Sequence, residues 1–141
     1  MRDKIRVFRR GDVYIADFGN RKGTNLQSGC RPCIVISNRK SNEKSKILTV
    51  VPVSSKIKKM YLPTHVEIKT DDVCGFLQKD SVVIAEQVTT IDKNAVRNKL
   101  GFIKIDSDVF KKIEKAVKIQ MSFLEDYYGE EYDRTDKENK E

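Results

Sequence analysis

The sequence predicts a mainly β, α+β domain in which a small, curled and mostly antiparallel sheet packs against one long C-terminal helix. The chain has 141 residues, the usual size of one domain, and 38% of them are hydrophobic, which is enough to form a core. The spacing of apolar residues changes once, near residue 107, from short runs to helical spacing. The runs before that point are rich in Val and Ile, residues that favour strands.

Six short apolar runs predict the strands in chain order. They cover residues 12–18, 33–37, 47–53, 65–68, 81–88 and 101–105. Polar segments with glycine or Ser-Asn separate these runs, as is typical of turns. The polar segment 38–46 has nothing to bury, and we expect an exposed, mobile loop there.

Two segments predict helices. Asp92 is a plausible N-cap for a short helix over residues 92–98. The long helix is expected over residues 108–128, with Asp106 or Ser107 as its cap and Gly129 as its end. Its apolar side chains recur at helical spacing and should pack on the open face of the sheet. They are Phe110, Ile113, Val117, Met121 and Leu124.

The domain is expected to cover residues 1–128. Residues 129–141 contain Tyr132 as their one apolar residue, so we expect a charged, disordered tail. No run approaches the roughly 18 consecutive apolar residues of a membrane span, and the N-terminus lacks the apolar region of a signal peptide. These features predict a cytoplasmic protein without a membrane partner. Three cysteines, an odd number, argue against a disulfide framework.

Positive charge is concentrated in the first half of the chain. The chain carries a formal net charge of +7, and residues 1–60 alone hold 15 Lys and Arg against 4 Asp and Glu. Such a distribution is typical of proteins that meet phosphate groups. A solvated basic surface without a ligand would give the same composition.

The single histidine and the paired cysteines limit the possible chemistry. One histidine, His65, excludes a ribonuclease that works with two imidazoles, and its place at the start of a strand favours a structural role. Cys30 and Cys33 have the spacing of a redox or zinc motif. They precede a strand rather than a helix, and on an extended chain they face opposite sides. We therefore expect neither a metal nor a cofactor.

The polar segment 19–32 suits phosphate recognition. Arg31 stands between Gly-Cys and a proline that forces extended geometry, so its backbone should be well defined. Arg21 and Lys22 add charge, and amide and hydroxyl side chains could contact bases or sugars. An ordinary variable surface loop explains the same residues equally well.

Five segments in order make the chain resemble the MazF/PemK toxins of bacterial toxin–antitoxin systems. They are RGDVYIADF at 10–18, GCRPCIVISN at 29–38, VVPVS at 50–54, LPTHVEI at 62–68 and DSVVIAEQVTTIDK at 80–93. The resemblance implies a small SH3-like curled antiparallel barrel of the CcdB/PemK type with a C-terminal helix. It further implies a homodimer that cuts single-stranded RNA at specific sequences without a metal. A cognate antitoxin would neutralise this activity.

The resemblance also implies roles for individual residues. The catalytic arginine of the family falls on Arg31 and its catalytic threonine on Ser54. We expect the loops at 20–27 and 55–59 to select the RNA sequence. The residues expected to bind RNA are Asn20, Arg21, Lys22, Thr24, Gln27, Ser55, Lys56 and Gln87.

Three positions depart from the family pattern. Residues 23–27 lack the glutamate that relatives often carry before the arginine, and Ser54 lacks the methyl group of threonine. The pair at 89–90 is Thr-Thr where Arg-Thr is common. Two other functions are therefore kept open. One is a gyrase-binding toxin like CcdB, on the same fold but without nuclease activity, and the other is a non-catalytic regulator that binds nucleic acid.

Overall fold

The fold consists of eight strands and two helices in the described part of the chain, residues 6–56 and 62–123 of a computed structural model. The strands are β1 (Asp12–Asp17), β2 (Cys30–Val35), β3 (Ile47–Ser54), β4 (His65–Ile68), β5 (Cys74–Gly75), β6 (Ser81–Ile84), β7 (Thr89–Asp92) and β8 (Val96–Phe102). The helices are α1 (Arg39–Lys44) and α2 (Asp108–Gln120).

All the strands join one antiparallel sheet, in the order β4-β6-β3-β2-β1-β8-β5, with β7 beside β3. One edge of β3 is shared between two partners: residues 47–50 pair with β7, and residues 53–54 pair with β6. Pro52 lies between these two segments and has no N–H to donate to either partner. The change of partner curls the sheet into a half-barrel, which confirms the predicted fold class.

Alternating side chains give the sheet an apolar core on each face. Val13, Ile34 and Val51 lie on one face, where they pack with the helix α2 residues Phe110 and Ile113. The residues between them in sequence point to the other face. There Tyr14, Cys33, Val35 and Val50 pack with Phe8, Phe18 and Leu48. Helix α2 therefore covers one face of the sheet, as its apolar spacing predicts.

Helix α2 ends eight residues before the predicted end. The N–H of Ser122 donates to the Ile119 carbonyl and that of Phe123 to the Lys118 carbonyl, at 3.1 and 2.8 Å. Ser122 has φ = 60°, so these bonds form a Schellman motif, which ends a helix in left-handed geometry. Met121, predicted to face the core, is exposed. Residues 124–141, including Leu124 and the predicted tail, lie outside the described part, and the domain boundary stays a prediction.

The prediction of a mobile loop over residues 38–46 is wrong, because this segment contains helix α1. The Asn38 side chain caps the helix by accepting from the Ser41 N–H at 2.9 Å. Asn42 is buried, and its side-chain amide donates to the Ser37 carbonyl at 2.8 Å. Lys93 donates to the Asn42 carbonyl at 2.6 Å. A polar residue here is buried through hydrogen bonds, which a search for apolar residues does not detect.

The structure also differs from prediction over residues 81–105. Strand β6 ends at Ile84, and a 3-10 turn at Ala85–Gln87 separates it from β7. Asp92 does act as a cap, but of a single 3-10 turn at Lys93–Ala95, after which β8 begins at Val96. Three consecutive polar residues of β8, 97–99, are exposed, so little alternation marks this strand in the sequence. In residues 6–56 and 62–123 we find no helix long and apolar enough to cross a membrane.

Candidate active site

Arg31 and Ser54 lie at the same end of two neighbouring antiparallel strands. Strand β2 begins at Cys30 and β3 ends at Ser54. Their ladder pairs Val35 with Val50 and Cys33 with Pro52. The ladder ends there, two residues from Arg31 and two from Ser54, and the alternation of side chains along each strand turns both of them to the same face of the sheet. The structure thus brings the two predicted catalytic residues to one place.

Arg31 is oriented by the loop that precedes it. Its Nε donates to the Ser28 carbonyl at 2.9 Å, and the side chain is half-buried. The loop is closed by two backbone hydrogen bonds between Phe18, Gly19 and Gly29, of 2.9 and 2.8 Å. A guanidinium has five N–H donors, and no further protein partner for them occurs among the described residues. Within residues 6–56 and 62–123, the other four donors have no protein partner and can bind an anion.

Ser54 is buried, with 3% of its surface exposed. Its Oγ accepts a hydrogen bond from the backbone N–H of Lys56 at 3.2 Å. The hydroxyl proton is not used in that bond, because the oxygen is the acceptor. Ser55 and Lys56 follow as exposed residues. The predicted RNA-selecting segment continues to residue 59, and its residues 57–59 lie outside the described part of the chain.

The loop between β1 and β2, residues 18–29, is held from the far side by Gln87. The Gln87 Oε1 accepts from the Gln27 N–H at 2.9 Å, and its Nε2 donates to the Asn25 carbonyl at 3.1 Å. Both ends of the side-chain amide are thus bound to the loop backbone. Gln87 belongs to the 3-10 turn after β6, so this turn fixes the position of the loop.

Other predicted RNA-binding residues of this loop partly stabilise the loop itself. The Asn20 Oδ1 accepts from the Lys22 N–H at 3.1 Å, and the Thr24 hydroxyl donates to the Arg21 carbonyl at 2.6 Å. The Arg21 guanidinium lies 5.7 Å from the centre of the Phe18 ring, a cation–π contact. Lys22 is exposed. Internal contacts therefore order this loop, which carries the positive charges of Arg21 and Lys22.

A cavity of about 320 Å³ lies at the start of β2 and the end of β3. Arg31 lines it together with its chain neighbours Cys30 and Pro32, and so do Val53 and Ser55, the neighbours of Ser54. The segment 76–79 forms another part of the wall. Sequence reasoning missed this segment, because no local pattern shows that the pairing of β5 with β8 brings it to the cavity. A larger groove, of about 620 Å³ between β4 and α2, is lined by none of the predicted site residues.

His65 is hydrogen-bonded as expected of a structural histidine. Its Nε2 lies 2.7 Å from the Glu86 Oε2, and the Thr64 hydroxyl donates to the Glu86 Oε1 at 2.9 Å. Both carboxylate oxygens of Glu86 are thus engaged. The bonds tie the start of β4 to the turn that carries Gln87.

The cysteines of the C-x-x-C motif have different surroundings. Cys30 is exposed, whereas Cys33 is buried, and burial raises the pKa of the Cys33 thiol from 9.0 to about 12. A thiol with a raised pKa is a poor nucleophile and a poor metal ligand at neutral pH. Among residues 6–56 and 62–123, no group of three or more His, Cys, Asp or Glu residues could hold a metal ion.

Comparison with known proteins defines the class. Residues 9–121 match the family described as PemK-like, MazF-like toxins of type II toxin–antitoxin systems. A relative from Staphylococcus saprophyticus, named endoribonuclease MazF, is 36% identical over 115 residues, which are 82% of this chain and 92% of that protein. Endoribonuclease EndoA of Bacillus subtilis is 36% identical over 119 residues, or 84% of this chain and 98% of that one.

Solved structures share the fold. MazF from Deinococcus radiodurans has a TM-score of 0.66 at 21% identity, covering 84% of this chain and 99% of its own. A mycobacterial endoribonuclease in complex with its cognate antitoxin has a TM-score of 0.63 at 21% identity, covering 84% and 96%. The family match, the two relatives and the shared fold thus define a MazF-like toxin domain. The chain belongs to the PemK/MazF-like toxin family of type II toxin–antitoxin systems.

Proposed function

We propose that this protein is a toxin that cuts single-stranded RNA at specific sequences without a metal ion. The chain is an endoribonuclease, the activity for which both 36%-identical relatives are named. The observation that supports the finer proposal is that Arg31 and Ser54 lie two residues beyond the last pair of the β2–β3 ladder, on the same face by strand alternation. Four free N–H donors and one hydroxyl at one place suit a phosphodiester.

The reaction uses the RNA's own nucleophile. The 2′-hydroxyl oxygen attacks the adjacent phosphorus, the bond from phosphorus to the 5′-oxygen breaks, and the products are a 2′,3′-cyclic phosphate and a 5′-hydroxyl. Arg31 holds two phosphate oxygens and stabilises the negative charge that grows on them. The Ser54 hydroxyl donates a hydrogen bond to the same oxygens. Ser54 is buried in the free protein. The end of β3 must therefore become accessible to the RNA before the hydroxyl can donate this hydrogen bond.

Proton transfer does not come from a protein carboxylate beside the pair. Arginine side chains remain protonated in proteins, which makes Arg31 a poor base. The loop residues 23–27 have no carboxylate, and Glu86 is engaged with His65 and Thr64. We therefore assign the proton from the 2′-hydroxyl to water or to a group of the RNA itself, and the departing 5′-oxygen takes its proton from water.

The RNA lies along the loop and the adjoining strand ends. Arg21, Lys22 and Lys56 supply positive charge for the backbone of the RNA. Asn20, Thr24 and Gln27 belong to the same loop and Ser55 follows β3, and their hydroxyl and amide groups can meet base or sugar edges. Gln87 contributes by holding the loop, because both ends of its amide are bound to loop backbone.

The partners are a cognate antitoxin and a second copy of the chain. Structures of the relatives include an endoribonuclease in complex with its cognate antitoxin and a MazE–MazF complex. Membership of a type II system supports an antitoxin that binds and neutralises this protein. We propose the homodimer on the family resemblance and the exposed apolar side chains, which leave surface to cover.

The test is incubation of the purified protein with a long single-stranded RNA in EDTA, followed by sequencing of the product ends. The proposal predicts cuts at one short sequence, with 5′-hydroxyl ends, and none from Arg31→Ala. Intact RNA from the folded wild-type protein would contradict the nuclease and favour the gyrase-binding or regulatory function. Cuts that require added Mg²⁺ would contradict the metal-independent reaction.

A further inference from the structure

The 3-10 turn at Ala85–Gln87 contacts the two connections that adjoin the proposed catalytic residues. One is the loop over residues 18–29, which leads into the strand that carries Arg31. The other is the connection from β3 to β4, residues 55–64, which begins directly after Ser54. The last side chain of the turn holds the first connection, and the side chain before it holds the end of the second.

Glu86, the middle residue of the turn, has two partners at the end of the β3–β4 connection. Its Oε1 accepts from the Thr64 hydroxyl at 2.9 Å, and its Oε2 accepts from the His65 Nε2–H at 2.7 Å. Thr64 is buried, and the His65 side chain is 8% exposed. Both bonds are therefore largely shielded from water, where the loss of an acceptor leaves a donor unpaired.

The His65 ring depends on this carboxylate for its orientation. Its Nδ1 atom is buried and has no hydrogen-bond partner within residues 6–56 and 62–123. In that part of the chain, Glu86 is therefore the one polar group that the ring contacts. The bond from Nε2 thus fixes the end of the connection and the turn to each other.

Backbone hydrogen bonds make the turn a stiff link between its two side chains. The Ala85 N–H donates to the Thr64 carbonyl at 3.0 Å, and the Val88 N–H donates to the Ala85 carbonyl at 3.1 Å. Strands β4 and β6 pair as far as the residue before the turn, and Ala85 itself is buried. A displacement of Glu86 therefore also displaces Gln87.

The loop passes this position on to the arginine. The Gln27 N–H donates to the Gln87 Oε1 at 2.9 Å, and the next residue, Ser28, accepts from the Arg31 Nε through its carbonyl at 2.9 Å. Hydrogen bonds and two short pieces of backbone thus join Glu86 to the guanidinium without a gap.

We propose that Glu86 is a positioning residue that couples the end of the β3–β4 connection to the orientation of Arg31, through Gln87 and the loop. The inference rests on the proposed ribonuclease function, in which Arg31 grips the phosphate. A guanidinium stabilises the reacting phosphate only when its direction is fixed, so the residues that hold it contribute to the rate.

Hydrogen–deuterium exchange of the full chain without RNA measures the coupling. Glu86→Ala removes both acceptors, so the Gln27 amide should exchange about 2- to 13-fold faster. In the Gln87→Ala background the same substitution should add nothing, because the contact with the loop is already lost. An unchanged Gln27 amide in folded Glu86→Ala overturns the coupling, and so do factors that multiply in the double variant.

Matched variants separate coupling from general destabilisation. Glu86→Gln keeps the size of the side chain and can bond both partners, because a threonine hydroxyl donates or accepts, so it should keep most of the protection. Glu67→Ala removes an exposed carboxylate from β4 and should leave the Gln27 amide unchanged. Equal acceleration in Glu67→Ala overturns the specific coupling. If circular dichroism shows that Glu86→Ala is unfolded, Thr64→Val, which removes one of the two bonds, takes its place with the same criteria.

Cleavage of an RNA with the mapped site tests the positioning role. Glu86→Ala should lower the single-turnover rate about 2- to 13-fold, and Glu86→Gln should restore most of it. In the Arg31→Lys background Glu86→Ala should cost nothing further, because the guanidinium that it orients is gone. An equal loss in both backgrounds overturns the positioning role and leaves the ribonuclease intact. A folded wild-type protein that cuts no RNA overturns the proposed function and the positioning role together, while the Gln27 exchange still decides the coupling.

Discussion

At the scale of single residues, the proposed reaction depends on two side chains that differ in exposure. Arg31 is half-buried and keeps most of its donors free, whereas Ser54 is buried and holds the following turn through its oxygen. This division suits a site where charge attracts the phosphate first and the hydroxyl acts once the RNA is in place. Removal of the Ser54 hydroxyl should then lower the rate of cleavage with little effect on RNA binding, whereas removal of the Arg31 guanidinium should lower both the rate and the affinity.

The first prediction concerns Ser54→Ala. Loss of one hydrogen-bond donor that acts on the developing charge lowers kcat by about 10²- to 10³-fold with little change in KM. Single-turnover cleavage of an RNA that contains the mapped site measures it. Ser54→Thr, which restores the usual residue of the family, should keep the activity. An unchanged kcat in folded Ser54→Ala would remove the hydroxyl from the mechanism.

At the scale of structural elements, the turn after β6 controls the loop that carries the cations. Gln87 makes two hydrogen bonds to the backbone of the 18–29 loop, and Glu86 beside it is tied to His65 and Thr64. The position of the loop therefore depends on a segment far away in sequence. The C-terminal end of helix α2 is also strained, because Ser122 there takes the left-handed conformation that glycine prefers.

The second prediction concerns the hold of Gln87 on the loop. Gln87→Ala removes both hydrogen bonds, each worth about 0.5–1.5 kcal/mol, so the Gln27 amide should exchange with deuterium roughly 2- to 13-fold faster per lost bond. Gln87→Glu keeps the acceptor for that amide and should preserve its protection. Hydrogen–deuterium exchange by NMR measures the rates. Equal exchange rates of the Gln27 amide in the wild type and in Gln87→Ala would show that Gln87 does not fix the loop.

The third prediction concerns the end of α2. Ser122 has φ = 60°, and a side chain in this region costs about 1 kcal/mol that glycine avoids. Ser122→Gly should therefore raise the free energy of unfolding by about 0.5–1 kcal/mol, measured by urea denaturation. Ser122→Ala, which cannot relieve this cost, is the matched control. A destabilised glycine variant would contradict the assigned end of the helix.

At the scale of the whole molecule, one curled sheet separates two cores, and the site lies where neighbouring strands end. The core that contains Cys33 packs on the face opposite α2. Stability and activity should therefore be separable, because the catalytic pair is placed by strand register rather than by the packing of the helix.

The fourth prediction is a loss of stability in alkali. Burial raises the pKa of Cys33 above its ordinary 9.0, so the folded state keeps the proton that the unfolded chain releases. The stabilisation is complete below pH 9 and is lost as the pH rises from 9 towards about 12, by at most about 1.4 kcal/mol per pH unit. Urea denaturation at several pH values should show that the free energy of unfolding falls less steeply with pH for Cys33→Ala than for the wild type. Equal slopes of the free energy of unfolding against pH for the two proteins would contradict this role of Cys33.

The sequence alone was informative where the causes are local. Val and Ile alternation predicts β1 and β3, and Ser107 marks the start of α2. Helix α1 escapes prediction because Asn42 is buried against Ser37 and Lys93, which only the tertiary fold brings together. For the site, Arg31 and Ser54 follow from the family resemblance. The cavity wall at residues 76–79 does not, because its position depends on the pairing of β5 with β8.

The most direct test of the central claim is the single-turnover cleavage rate of Arg31 variants on an RNA with the mapped site, in EDTA. Arg31→Ala should lose at least about 10³-fold, and Arg31→Lys should lose much of the activity, since a lysine cannot grip two phosphate oxygens as a planar guanidinium does. Both variants should remain folded, because the Arg31 side chain makes one hydrogen bond to the described part of the chain. Cleavage by folded Arg31→Ala at the wild-type rate would contradict the account.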